Sequence, residues 1–201
     1  MQIFNQLLKW VARSLGLRRP PATTDLAAFA RKIEPRADLQ VVWLSANQKE
    51  ILTDISKRAR EISGQRGNRT LLLFTGAGAA DQADAAESLA NDLEKDLYRV
   101  DLDMVVSKYV GETEKNLDRL FRAAESAGAI LFFDEADALF AKRSEVKDSH
   151  DRYANIEINY LLQRLETYYG LAILATNRED AIEKVRDRFH QVVDFPFRPC
   201  P

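Results

Sequence analysis

From residue 70 onward, short apolar runs alternate with segments in which apolar residues recur at helical spacing. The runs Leu71–Thr75, Leu97–Asp101, Ile130–Asp134, Ala172–Thr176 and Val192–Phe195 predict strands. Helical periodicity fills the intervals and is clearest over Glu112–Ala127 and Ile156–Tyr168. Strands this apolar, separated by amphipathic helices, imply a parallel sheet covered on both faces. Upstream, Ile51, Ile55 and Ile62 are spaced for the buried side of a helix over Leu44–Ile62. Leu26–Arg36 predicts a short helix ended by Pro35, and Gly64–Asn68 a turn. The chain shows no internal repeat and no low-complexity tract.

The first residues follow another pattern. On a helical wheel Ile3, Phe4, Leu7, Leu8, Trp10, Val11, Leu15 and Leu17 share one half, and Gln2, Asn5, Gln6, Lys9 and Arg13 the other. Residues 1–24 hold Lys9, Arg13, Arg18 and Arg19 and no acid. Gly16 and Pro20-Pro21 end this helix and begin a linker. A basic amphipathic helix suits either an anionic membrane surface or a protein groove, such as a partner helix or the chain's own body. Both targets stay open. The expected organisation is a basic helix with its linker over residues 1–21, a helical extension over 22–68 and an α/β core over 69–201.

Composition narrows the class without naming a function. With 201 residues, 46% hydrophobic and 30% charged, the chain can bury a real core. A net charge of −2 gives no general attraction to nucleic acid, and none is expected as a partner. Cys200 is the single cysteine, which excludes an internal disulfide and a Cys-rich metal site and points to the reducing cytoplasm. Through the N-terminal helix, a peripheral place at the inner face of a membrane is a further expectation. His150 and His190 lack metal-ligand spacing with that cysteine. No apolar run is long enough to span a bilayer, and no secretory cleavage pattern is present.

The chemistry concentrates in a few stretches. In "AILFFDEADALF", Ala129–Phe140, an apolar strand runs into Asp134-Glu135, placing two carboxylates at the C-terminal edge of a buried sheet. Such acids can hold a metal's water shell and orient an attacking water, or they can simply be solvated at a strand end. "SKYVGETEKNLDRLF" follows the second strand, and "LAILATNRED" supplies a strand ending in Thr176-Asn177. In the order and spacing of these segments the chain resembles the AAA+ ATPases, from about Ala30 onward and most densely over Tyr98–Asn177. The local wording is most similar to AAA ATPases associated with contractile injection systems.

The resemblance implies a P-loop NTPase-like three-layer sandwich whose five parallel strands are ordered 5-1-4-3-2. It makes Asp134 the magnesium-associated acid, Glu135 the water-polarising acid and Asn177 the sensor that contacts the attacking water or the γ-phosphate. Lys108-Tyr109-Val110-Gly111 matches the first pore loop, which grips a threaded polypeptide, and "KRSEVKDSHDRYANIEINYLLQRLE" fits the second pore loop with its helix. The family's phosphate loop, G-P-P-G-T-G-K-T, aligns without a gap to Gly76-Ala77-Gly78-Ala79-Ala80-Asp81-Gln82-Ala83.

That loop is degenerate. Gln82 replaces the lysine whose charge serves the β- and γ-phosphates, and Ala83 replaces the hydroxyl that binds Mg²⁺. Asp81 puts a carboxylate where glycine lets phosphate approach, and it is expected to N-cap a helix starting near Gln82. Either it fills the phosphate seat or it merely caps the helix. Of the family's arginine pair, Arg188 remains as the candidate finger toward a neighbour's nucleotide, with Arg186 or a plain solvated helix charge as alternatives. The resemblance places a helical lid after the last strand, and past "DFPFRPCP" no counterpart of it is expected. The leading expectation is a non-catalytic subunit without a cofactor, assembled in homo- or hetero-oligomers with AAA+ proteins, a polypeptide substrate being possible for the assembly. The others are a slow ATPase with ATP and Mg²⁺, and a membrane-surface adaptor.

Overall fold

The computed structural model describes residues 26–34, 44–61, 69–107, 109, 111–136, 159–177 and 186–196. The predicted N-terminal helix and linker, the second pore loop, His150 and Cys200 lie outside them. The elements are β1 (Ala30–Ile33), α1 (Ala46–Glu61), β2 (Thr70–Thr75), α2 (Ala79–Asp92), β3 (Leu97–Val100), α3 (Leu102–Val105), α4 (Glu112–Ala127), β4 (Ile130–Phe133), β5 (Leu171–Thr176) and β6 (Gln191–Asp194). Residues 159–167 are also helical. They build one six-stranded sheet in the order β1-β3-β4-β5-β2-β6.

Strands β3, β4, β5, β2 and β6 run parallel to one another in that sequence, which is the expected five-strand order. β1 is an addition and a correction. Leu26–Arg36 was expected to be helical, yet Ala30–Ile33 pairs antiparallel with β3, Ala30 opposite Val100 and Ile33 opposite Leu97. Local helix propensity yields here to an open sheet edge, because β3 offers unpaired backbone groups and Phe29 and Ala30 gain burial beside it.

Strand alternation divides the core into two layers. Leu72 and Phe74 of β2 face α1 and α2 with Leu97, Ile130, Phe132 and Ile173, where they meet Leu52, Ile55, Ala85 and Leu89. Leu71 and Leu73 face the other side with Tyr98, Leu131, Phe133 and Leu174, against Leu117, Leu120 and Phe121 of α4 and Leu161 and Leu165. A sheet buried on both faces has no polar side, which is why its strands are continuous apolar runs.

Two local devices set helix ends, one at each edge of the sheet. Ser45 and Gln48 form a reciprocal capping box at α1: the Gln48 N–H donates to Ser45 Oγ at 3.3 Å, and the Ser45 N–H to Gln48 Oε1 at 2.7 Å. The remaining Gln48 amide donates to the Asp194 carbonyl at 2.6 Å, which ties α1 to the end of β6. Gly128, at φ +64°, closes α4 in the left-handed conformation and starts the turn into β4.

Tyr168 lies just before β5 with its ring against Phe121, and its hydroxyl donates to the Ala129 carbonyl at 2.7 Å. Burial first, and the Glu125 charge second, push its phenol well above the ordinary value. The folded protein therefore keeps Tyr168 neutral at a pH where the unfolded chain ionises it. Its contribution is complete below about pH 10 and is lost as pH rises further, by up to ~1.4 kcal/mol per pH unit. Tyr168→Phe is expected to cost about 1–3 kcal/mol at neutral pH, by stranding a buried carbonyl, and to flatten the alkaline loss. Urea denaturation from neutral to strongly alkaline pH checks both.

Candidate functional site

β2 ends at Thr75, and the chain turns at Gly76 with φ +104°. A Cβ at Gly76 would sit 2.2 Å from the Phe195 carbonyl oxygen, so glycine is required by space as well as by conformation. The Gly78 N–H donates to that same carbonyl at 3.3 Å, and the Phe195 N–H donates to the Thr75 carbonyl at 2.7 Å. The Thr75 hydroxyl donates to Asp194 Oδ1 at 3.3 Å. The glycine turn is thus stitched to the chain leaving β6.

α2 begins at Ala79, with Gly78 as its N-cap and no side-chain cap bond. This corrects the expected start near Gln82 and the expected N-cap role of Asp81. The alanines at 79 and 80 are strong helix formers and extend the helix back to the glycine. Asp81 occupies the first turn, where the helix dipole favours an acid. Its Oδ2 lies 3.3 Å from the point a Gly78 Cβ would take, so the carboxylate folds back over the loop.

Gln82 is 2% exposed. Helical side chains lean toward the N-terminus, and its Nε2 reaches back to the Gly76 carbonyl at 2.8 Å and the Thr176 carbonyl at 3.5 Å. The amide's two protons therefore have two carbonyls as acceptors. Ala83, beside it, is half-buried, while Ala77, Ala79 and Ala80 are exposed.

At the end of β4, Asp134 is largely buried. Its Oδ2 lies 2.5 Å from Arg99 Nη2, and its Oδ1 accepts the Glu135 N–H at 2.9 Å. Glu135 is exposed and holds φ +51°, a conformation a non-glycine residue adopts at a cost of order 1–3 kcal/mol. The Ala136 N–H then donates to the Ala175 carbonyl at 2.9 Å, anchoring the turn on β5. Asn177 follows β5 and is exposed.

The loop, Asp134-Glu135 and Asn177 thus follow the C-terminal ends of adjacent strands β2, β4 and β5. Arg188 does not join them. It lies in a 3-10 turn, Arg186–Arg188, just before β6 and so at the opposite sheet edge, with Nη1 3.2 Å from Glu166 Oε1. Tyr109 is 72% exposed on the segment between α3 and α4, its N–H donating to Ser107 Oγ at 3.2 Å, and Gly111 N-caps α4 at φ +78°. Lys108 and Val110 fall outside the described residues.

Sequence reasoning passed over Arg99, Asp194 and the Phe195 backbone. For Arg99 the signal was available, since it is a charged residue inside the predicted strand Leu97–Asp101, whose other charge, Asp101, stands at its end. The closeness of Phe195 to Gly76 had none, because backbone approach leaves no mark except the glycine itself.

The group that the resemblance implies is Mg-ATP, and these residues do not fit it. The amide at the lysine position is buried on main-chain carbonyls, and the next residue has no oxygen. An acid lies over the loop, a loop N–H is given to Phe195, and the metal's acid is paired with an arginine.

Two glycine substitutions separate space from conformation. Gly76→Ala is expected to cost more than about 3 kcal/mol, because the Phe195 backbone must move and the residue is strained as well. Gly111→Ala meets nothing within 4 Å and is expected to cost only about 1–2 kcal/mol. Chemical denaturation of both variants measures the difference.

Comparison with known proteins agrees with this architecture. Residues 73–197 match the family described as "ATPase family associated with various cellular activities (AAA)". An uncharacterized AAA family ATPase, y4kL, of Sinorhizobium fredii is 31% identical over 88% of this chain and 54% of its own length. The proteasome-activating nucleotidase of Aeropyrum pernix is 34% identical over 55% of this chain and 29% of its own. The chain thus spans about half the length of the first of these relatives and less of the second. Among solved structures, a chain of the E. coli MS115-1 HORMA:CdnC:Trip13 complex superposes with TM-score 0.63 at 20% identity, covering 90% of this chain and 73% of that one. The FIGL-1 AAA domain in complex with ADP gives TM-score 0.64 at 20% identity, covering 90% and 64%. The family match over residues 73–197 makes the chain a member of the AAA family of ATPases.

Proposed function

We propose that this chain is a non-catalytic AAA+ subunit, a pseudo-ATPase that acts through protein contacts with a catalytically competent AAA+ partner. The observation that carries this reading is Gln82. At the position of the phosphate-binding lysine, a buried neutral amide bonds the loop's own Gly76 carbonyl and the Thr176 carbonyl. Reaching a phosphate would require breaking both bonds and would still bring no charge. A second reading, slow hydrolysis through Asp134, Glu135 and Asn177, is favoured by the retention of those groups at one sheet edge.

Within an assembly, Arg188 would exchange its exposed pairing with Glu166 for the partner's nucleotide, with Arg186 beside it as the substitute. Surface ion pairs are worth little, so the exchange costs little. Tyr109 would then contact a polypeptide or a neighbouring loop.

Nucleotide titration of the purified chain is the test. Millimolar ATP with Mg²⁺ is expected to give no saturable binding and no hydrolysis above a Glu135→Gln control. Micromolar binding that Asp134→Ala abolishes would establish the hydrolysing reading instead. The assembly side is tested with a co-purified AAA+ partner, whose ATPase rate should fall at least tenfold with Arg188→Ala plus Arg186→Ala, the scale of losing a transition-state arginine. An unchanged rate removes the finger role.

A further inference from the structure

We propose that Arg99 is the resident cation of Asp134, a fixed side-chain substitute for the metal ion that this sheet edge would otherwise hold. The proposal deepens the non-catalytic reading, because it concerns the acid that reading leaves unexplained.

The placement follows from strand register. Arg99 of β3 lies opposite Phe132 of β4, and Leu97 opposite Ile130. Strand side chains alternate, so Arg99 shares a face with Phe132 and with the position two residues further along, Asp134. Its neighbours Leu97, Tyr98 and Val100 are buried, and Arg99 alone in the strand is charged and exposed. The guanidinium extends along the sheet to the carboxylate and meets Oδ2 at 2.5 Å. Arg99 is about half exposed and Asp134 only 11% exposed, so the acid depends on the arginine more than the reverse. The other carboxylate oxygen accepts the Glu135 N–H, so each oxygen has a partner within the chain.

A divalent ion at such an edge neutralises a strand-end acid and is also held by a loop hydroxyl. The loop position for that hydroxyl is Ala83. A guanidinium meets the first need without the second, since it is always charged and brings its own donors. Asp134 is therefore kept as an acid for structural reasons: with Arg99 it ties β3 to the turn after β4. Its presence is no sign of retained metal chemistry.

The experiment uses the full chain, without nucleotide, and reads thermal unfolding in EDTA and in millimolar Mg²⁺ for wild type, Arg99→Gln, Asp134→Asn and the double variant. Wild type should melt at the same temperature in both buffers. Arg99→Gln should melt roughly 2–4 °C lower in EDTA, as expected for a largely buried acid left unpaired, and should recover in part with Mg²⁺. The double variant should melt no lower than Arg99→Gln and should ignore Mg²⁺. The proposal is overturned if Arg99→Gln melts like wild type in EDTA, if it gains nothing from Mg²⁺, or if wild type gains from Mg²⁺ in a way Asp134→Asn abolishes. Because no nucleotide is present, these outcomes stand apart from the ATP titration. A chain that binds ATP would sink the non-catalytic reading and leave the melting result to be judged by itself.

Discussion

The two hydrogen bonds from the Gln82 amide to the carbonyls of Gly76 and Thr176 join the first turn of α2, the glycine loop and the end of β5. A buried amide must find acceptors, because leaving one of its protons unpaired costs about 1–3 kcal/mol. The loop and β5 supply them, and in return both are held in place. The Gly76 turn, held also by the Phe195 carbonyl, and the first turn of α2 meet at that anchor.

Much of this was legible beforehand, for identifiable reasons. The parallel sheet was readable because both its faces are buried and its strands are therefore unbroken apolar runs. α4 was readable to the residue, since Gly111 and Gly128 punctuate a strongly amphipathic stretch. β1 was missed because "ARKI" carries neither alternation nor a turn signal, and what makes it a strand is the exposed edge of β3. The start of α2 was misplaced because Asp81 is a good N-cap residue in isolation, whereas two alanines upstream let the helix begin on glycine. The loss of a charge at residue 82 and of a hydroxyl at residue 83 could be read from identity alone. The use to which Gln82 is put could not, since its acceptors are main-chain atoms.

The two acids at the edge are held differently. Asp134 is neutralised from the neighbouring strand, while Glu135 is exposed and sits in a left-handed conformation. The turn tolerates that conformation because the Glu135 N–H is capped by Asp134 and the next N–H by Ala175. The first of these bonds also fixes the Asp134 carboxylate.

β2 is the hub of the sheet, and both of its neighbours, β5 and β6, come late in the chain. A polypeptide emerging from the ribosome exposes Leu71–Phe74 on two open edges until those strands have been made. The glycine turn is likewise incomplete until Phe195 arrives to accept its N–H. The waiting strand is prone to aggregate, because long-range parallel pairing is slow and unpaired apolar edges are sticky. A chain cut between β5 and β6 would be left with that edge for good.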